Sequence, residues 1–173
     1  MLFRSSSLPV GDALDPGTLI GPLVAERQRD RVEGYIAKGI SDGARLVTGG
    51  GRPAGLDQGW FVEPTVFADV DNKSVIAQEE IFGPVLSIIE YTDEDDAVRI
   101  ANESNYGLGG SVWTQDPDRA RRVARRVRTG TVGINGYLPD PAGPWGGVKS
   151  SGLGRELGPG AIAAYQNLKT LYA

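Results

Sequence analysis

The sequence predicts an α/β fold with mostly parallel strands, and three observations carry that expectation. Strand-like and helix-like patterns alternate from about residue 85 to 135, the rhythm of a layered α/β domain. Val85–Tyr91 is a nearly continuous apolar run, as in a strand covered on both faces. Thr92-Asp93-Glu94-Asp95 then matches the start of a capping box, with acidic residues where the positive end of a helix dipole favours them.

From the N-terminus, Leu23, Val32, Tyr35, Ile36 and Ile40 recur at near-helical spacing among charged residues, which predicts an amphipathic helix from Pro22 to about Ile40. Pro22 suits a position near its start. Ala44–Thr48 reads as a short strand closed by Gly49-Gly50-Gly51. Trp60–Val70 is strand-like but carries Pro64, which demotes that part to an edge or a bulge. After the Val85–Tyr91 strand, Ala97, Val98, Ile100 and Ala101 supply the buried face of a helix. Gly110–Thr114 is then a strand, Pro117–Arg128 a helix and Thr131–Asn135 a further strand. The Gly/Pro-rich stretch after Asn135 is longer than ordinary connections, so a functional or interface role is expected of it. Tyr165–Tyr172 reads as a last strand.

The 173 residues suffice for one domain with a real core, and 25 glycines with 11 prolines imply many turns and close backbone approaches. There is no Cys and no His. Disulfides, thiolate nucleophiles, Cys-based metal sites and Ser-His-Asp or Cys-His catalysis are therefore excluded within this chain. A net charge of −4 argues against a nucleic-acid binder or a polybasic membrane-surface protein. No segment approaches the ~18 uninterrupted apolar residues of a membrane span. Met1–Ser7 is too short for a signal peptide, so the expected location is cytoplasmic.

Four stretches could carry chemistry. Arg119, Arg121, Arg122, Arg125, Arg126 and Arg128 suggest a nucleic-acid patch until the helix is drawn; Ala120, Val123, Ala124 and Val127 then form the buried stripe and the arginines fall on solvated flanks. Gly152-Leu153-Gly154-Arg155-Glu156-Leu157-Gly158 has its third glycine one place late for a dinucleotide fingerprint, and no strand leads into it. Gly147-Val148-Lys149-Ser150 lacks the Gly-Lys-Ser junction of a phosphate loop. Glu79-Glu80-Ile81-Phe82-Gly83-Pro84-Val85 is the most informative stretch, with two carboxylates and an aromatic at a Gly-Pro turn feeding a strand. A carboxylate there could accept hydrogen bonds from sugar hydroxyls, and Phe82 could offer a flat face to a heterocycle. The simpler structural alternative makes Glu a loop cap and Phe a core residue.

The string EEIFGPV, followed by ANESNYGLGGSVWT, GTVGIN, PWGGVKSSGLGRELG and a closing KTL, resembles the C-terminal part of the NAD(P)-dependent aldehyde dehydrogenase superfamily. Upstream, VGDALDPGTLIGPLVAERQRDRVEGYI, GARLVTGGGR and GWFVEPTVF agree in the same order. The resemblance runs from about Leu8 to Ala173. It implies a leader at 1–7, the C-terminal part of the catalytic domain at 8–163 and an oligomerisation strand at 164–173. By resemblance, Glu80 would bind the hydroxyls of the nicotinamide ribose and Phe82 would pack near that ribose and ring. Trp145, where the family usually has Phe, and the loop Tyr137–Pro144 would line the substrate tunnel.

The family oxidises an aldehyde to a carboxylic acid through a Cys nucleophile, with a general-base Glu and a Rossmann-like domain for NAD or NADP. All three would lie N-terminal to this region, so the resemblance implies a chain that is inactive alone and does not hold the cofactor tightly. It contributes no catalytic residue and no metal ligand. Lys149 and Ser150 are poor stand-ins for the missing thiolate, since neither has a His or a motif context. Self-association, or association with a full-length aldehyde dehydrogenase through the last strand, is the expected partnership, with neither nucleic acid nor membrane. The alternatives are a non-catalytic partner subunit and a weak dinucleotide-binding module.

Overall fold

In the computed structural model, residues 2–172 are described, and the chain divides into two compact units, Met1–Glu90 and Tyr91–Ala173. Met1 of the expected leader and Ala173 of the expected last strand lie outside the described residues. The fold is α/β, as the alternation predicts.

The first unit contains α1 (Leu2–Ser6), α2 (Glu26–Ser41), β1 (Arg45–Thr48), β2 (Thr65–Ala68), α3 (Val75–Gln78) and β3 (Val85–Ser87). Its sheet has the order β1-β2-β3, with β1 antiparallel and β3 parallel to β2. Helix α2 starts at Glu26, later than the apolar spacing suggests, because Leu23 is drawn aside by a backbone bond from its N–H to the Trp60 carbonyl (2.9 Å). The α2 residues Val32, Ile36 and Gly39 form one buried stripe at i, i+4 and i+7. Gly39 belongs there for want of room, since a Cβ would come within 2.9 Å of Ile76 and 3.2 Å of Phe67. That stripe meets Val62, Phe67, Val70, Ile76 and Ile81 in the core.

Two sequence expectations fail in this unit. Pro64 does not make an edge: β2 begins at the next residue and is the central, wholly buried strand. The proline sits just outside the ladder, where its missing N–H costs no pairing. The one irregularity of register falls on β1, between Leu46 and Thr48. Nor is Val85–Tyr91 a strand covered on both faces. The β3 ladder is short, Leu86 is 48% exposed, and Asp69 takes a left-handed φ of 56° that interrupts the ladder before the Val70 N–H reaches the Ile88 carbonyl (3.2 Å).

The second unit holds α4 (Glu94–Glu103), β4 (Gly109–Val112), α5 (Pro117–Arg126) and β5 (Thr131–Ile134), followed by 3-10 turns at Lys149–Ser151 and Pro159–Tyr165. Strands β4 and β5 pair in parallel from Gly109↔Thr131 to Val112↔Ile134, with α5 as the crossover. Asp93 caps α4 by accepting from the Asp96 N–H (2.8 Å), while the Asp96 carboxylate accepts from the Thr92 N–H (3.0 Å), a reciprocal cap displaced by one residue. Asp116 caps α5 through the N–H groups of Asp118 and Arg119, with Pro117 next to it.

The expected last strand does not form within the chain. Pro159–Tyr165 is a 3-10 turn, and Leu168, Leu171 and Tyr172 are more than four-fifths exposed without strand assignment. A strand requires a neighbouring backbone edge, and this segment pairs with none of the strands among the described residues.

Candidate functional site

The Glu79–Gly83 turn of the first unit is built by α2. Arg31 donates to the Glu80 carbonyl (2.7 Å), and Gln28 Nε2 donates to the carbonyls of Ile81 (3.2 Å) and Phe82 (2.9 Å). Tyr35 donates its hydroxyl to Glu79 (2.6 Å) while accepting from Arg31 (3.3 Å). Val32 packs so closely that a Cβ on Gly83 would meet it at 2.6 Å. Residues 28, 31, 32 and 35 are one helix face, so a single stripe of α2 grips five consecutive residues of the turn. The hydroxyl of Tyr35 pushes the Arg31 guanidinium above its ordinary value, with the charges of Glu80 and Glu79 adding to the effect.

Held this way, the turn presents its chemistry outward. Phe82 is 70% exposed and has a φ of 56°, a left-handed conformation disfavoured for a bulky residue. This corrects the simpler alternative that placed its ring in the core, a role that falls to Ile81 instead. The Glu80 carboxylate is exposed beside Arg31, and a recess of about 310 Å³ runs under the turn past Ile76, Val85 and Ile89. An ionised carboxylate only accepts hydrogen bonds, and an exposed aromatic face stacks on planar rings. The turn therefore fits a polyhydroxylated sugar attached to a heterocycle.

In the second unit Trp145 is half-buried and fixed by two 2.7 Å backbone bonds with Glu156, an isolated antiparallel bridge. Its side chain lines a cavity of about 580 Å³ together with Leu108, Tyr137, Pro139 and Leu157. The lining is aromatic and aliphatic. Tyr137 is held by a 2.6 Å hydrogen bond between its hydroxyl and that of Thr131. Leu138, Asp140, Gly143 and Pro144 of the same loop line an adjoining recess that also includes Trp145.

The remaining sequence candidates have structural partners. Arg119, Arg122 and Arg126 converge on Glu94, and Arg126 also reaches Asp95 at 2.6 Å. Three of the six arginines thus bind the acidic start of α4, and Arg121 pairs with Asp118 within α5. The Arg122 hydrogen bond, with Arg119 beside it, holds the Glu94 carboxyl below the usual range. Lys149 Nζ donates to the carbonyls of Asn102 (2.8 Å) and Ser104 (2.7 Å), which is not the setting of a nucleophile. Among the described residues no group of three or more acidic, His or Cys side chains could hold a metal ion, and no helix is long and apolar enough to cross a membrane.

The α2 grip is hidden in the sequence because Gln28 and Arg31 look like the solvated flank of an amphipathic helix and Tyr35 like part of its apolar stripe. Their spacing with Val32 is the signal that could have exposed it.

An α/β chain with this turn and this apolar cavity belongs to the aldehyde dehydrogenase family, which it matches over residues 1–171. Among curated proteins it is 63% identical to geranial dehydrogenase of Castellaniella defragrans over 96% of its own length, and 47% identical to betaine aldehyde dehydrogenase of Brucella ovis over 98%. It spans 34% and 35% of those two proteins, about a third of each. Among solved structures it is similar to a Mycobacterium tuberculosis aldehyde dehydrogenase complexed with NAD+, with a TM-score of 0.91 and 61% identity over 93% of this chain and 33% of that one. A Pseudomonas syringae aldehyde dehydrogenase variant complexed with NAD+ and octanal gives a TM-score of 0.92 and 46% identity over 95% and 34%.

Proposed function

We propose that this chain supplies the nicotinamide-ribose turn and a wall of the substrate tunnel to an enzyme that oxidises an aldehyde to a carboxylic acid with NAD+ or NADP+. The observation that carries the reading is the Glu79–Gly83 turn, where the Glu80 carboxylate and the Phe82 ring are displayed outward on a backbone gripped by α2. Glu80 would accept hydrogen bonds from the ribose hydroxyls; charge-assisted bonds of this kind contribute about 1.5–3 kcal/mol. Phe82 would pack on the ribose and ring. The nicotinamide, when bound, supplies the hydride acceptor. Trp145, Tyr137 and Pro139 would shape the tunnel. With no carboxylate among the side chains that line it, the cavity suits an apolar aldehyde of the geranial or octanal kind over a cationic one. Ala164–Tyr172 would pair with a strand edge of a second subunit, of this chain or of a full-length relative. Proline replacements within Leu168–Leu171 should abolish that association.

The chain alone, lacking Cys, should form no NAD(P)H at 340 nm with any aldehyde. It should still touch the cofactor weakly, since two contacts without a phosphate site give little affinity. In saturation-transfer NMR with millimolar NAD+, the nicotinamide and its ribose protons should receive more magnetisation than the adenine, and Phe82→Ala should remove that excess. Transfer confined to the adenine, or insensitive to Phe82→Ala, would sink the reading.

A further inference from the structure

We propose that Lys149 is a positioning residue that fixes Trp145, and with it the width of the apolar cavity, by capping the C-terminal end of α4 from 45 residues away. The last turn of α4 contains no basic residue of its own. A helix C-terminus carries unsatisfied carbonyls and partial negative charge, both of which favour a cation. Lys149 supplies it, donating to Asn102 and Ser104 at 2.8 and 2.7 Å. Its φ of 56° is one that a long L side chain adopts only when its surroundings fix it there.

The neighbours of Lys149 are tied to the same segment. Val148 N–H donates to the Gly107 carbonyl (2.9 Å), Ser150 N–H to the Asn105 carbonyl (2.9 Å), and Ser151 Oγ accepts from the Gly107 N–H (2.9 Å). Four consecutive residues are thus anchored to 102–107. Between them and Trp145 lie only Gly146 and Gly147, and these are pressed against Gly130, the residue before β5: a Cβ on Gly130 would lie 1.5 Å from the Gly146 carbonyl oxygen. Lys149 and Trp145 are thus joined through a link of three residues, of which the two glycines are closely packed, and the Glu156 bridge holds Trp145 from its other side. Asn102 strengthens the anchor, since its side chain donates to the Arg126 carbonyl (2.9 Å) and accepts from the Arg128 N–H (2.7 Å), joining the ends of α4 and α5.

The consequence for substrate width rests on the tunnel reading above; the effect on Trp145 does not. The test uses the full chain with Trp60→Phe and Trp113→Phe, so that Trp145 is the only indole. Lys149→Gly removes the ammonium while suiting the left-handed backbone. The Trp145 emission should shift to the red and its quenching by acrylamide should rise, with far-UV circular dichroism unchanged. Lys149→Arg, whose guanidinium offers donors to both carbonyls, should return the emission to its original position. Unchanged emission in Lys149→Gly overturns the proposal. Should Lys149→Gly melt the second unit, Lys149→Arg decides alone: emission at the original position supports the cap and a shifted one overturns it. Octanal is the separate probe of the tunnel, because failure to quench Trp145 in the parent chain would remove the tunnel reading and leave the positioning role standing.

Discussion

Ten of the buried apolar side chains among the described residues lie between Val32 and Ile81, while the second unit contributes only Val98 and Ala120. The first unit is organised around Phe67 and Val32, both fully buried, with one sheet face and one helix stripe closing over them. Both units leave large apolar side chains open, Leu14 and Val24 in the first at 90% and 85%, Leu138 and Leu153 in the second at 94% and 102%, so the contrast lies in the buried set. The cohesion of the second unit comes from close glycine contacts, two aspartate caps, the Glu94 ion-pair cluster and the Lys149 anchor. The two units should therefore fail in different ways, the first when apolar volume is removed and the second when backbone spacing or charge is disturbed.

The largest expected effect tests the first half of that contrast. Phe67→Ala should destabilise the first unit by about 3–5 kcal/mol, the range for large-to-small changes that leave a cavity. The urea midpoint followed by Trp60, which stacks against Arg29 at 4.9 Å, would report it. Val98→Ala removes less volume from a thinner core and should cost less when followed by Trp113. Equal losses would mean that the second unit has a core of comparable weight.

Much of this architecture was legible. The β4-α5-β5 crossover and α4 announced themselves because their apolar spacing and acidic start are local signals. What the sequence hid was set at a distance. Pro64 looked like a strand breaker because its position relative to the β2 ladder depends on where Pro84 accepts from Thr65. The exposure of Phe82 follows from the grip of Gln28 and Arg31, more than 45 residues upstream. The C-terminal segment has strand composition, but a strand is a relation between two backbones, and among the described residues it pairs with no other strand. The Glu79–Val85 stretch stands out by its carboxylates, aromatic and Gly-Pro turn alone, with a loop cap and a core aromatic as the simpler reading, whereas Trp145 and the particular roles of Glu80 and Phe82 come from the resemblance.

A smaller effect should appear at Gly130. Gly130→Ala places a methyl group against the Gly146 carbonyl, where backbone must yield, and should cost about 1–3 kcal/mol, as overpacking does. Gly34→Ala is the matched control in α2: no atom lies within 4 Å of its new Cβ, and the helix should gain about 0.5–1 kcal/mol. The urea midpoints of Trp145 and Trp60, respectively, measure the two. A tolerated Gly130→Ala would show that the spacing around β5 is softer than the contacts require.

The smallest effect concerns charge, and it separates the units by pH. In the second unit, carboxyls held below their ordinary values include Glu94, by Arg122 and Arg119, Asp96, by Arg99 and the Thr92 N–H, and Asp116, by the N–H groups of Arg119 and Asp118. Among the described residues of the first unit Glu33 is so lowered, by the hydrogen bond from Arg52. A carboxyl whose folded value is depressed stabilises the fold fully above its unfolded value, near 4, and loses that contribution as pH falls through the folded value. Between about pH 5 and pH 3 the urea midpoint seen by Trp113 should therefore fall more than that seen by Trp60. Glu94→Gln, which keeps the shape but not the charge, should lower the midpoint at pH 7 and flatten its dependence on pH. Parallel curves for the two tryptophans would mean that solvent screens the arginine cluster so strongly that backbone spacing alone holds the second unit together.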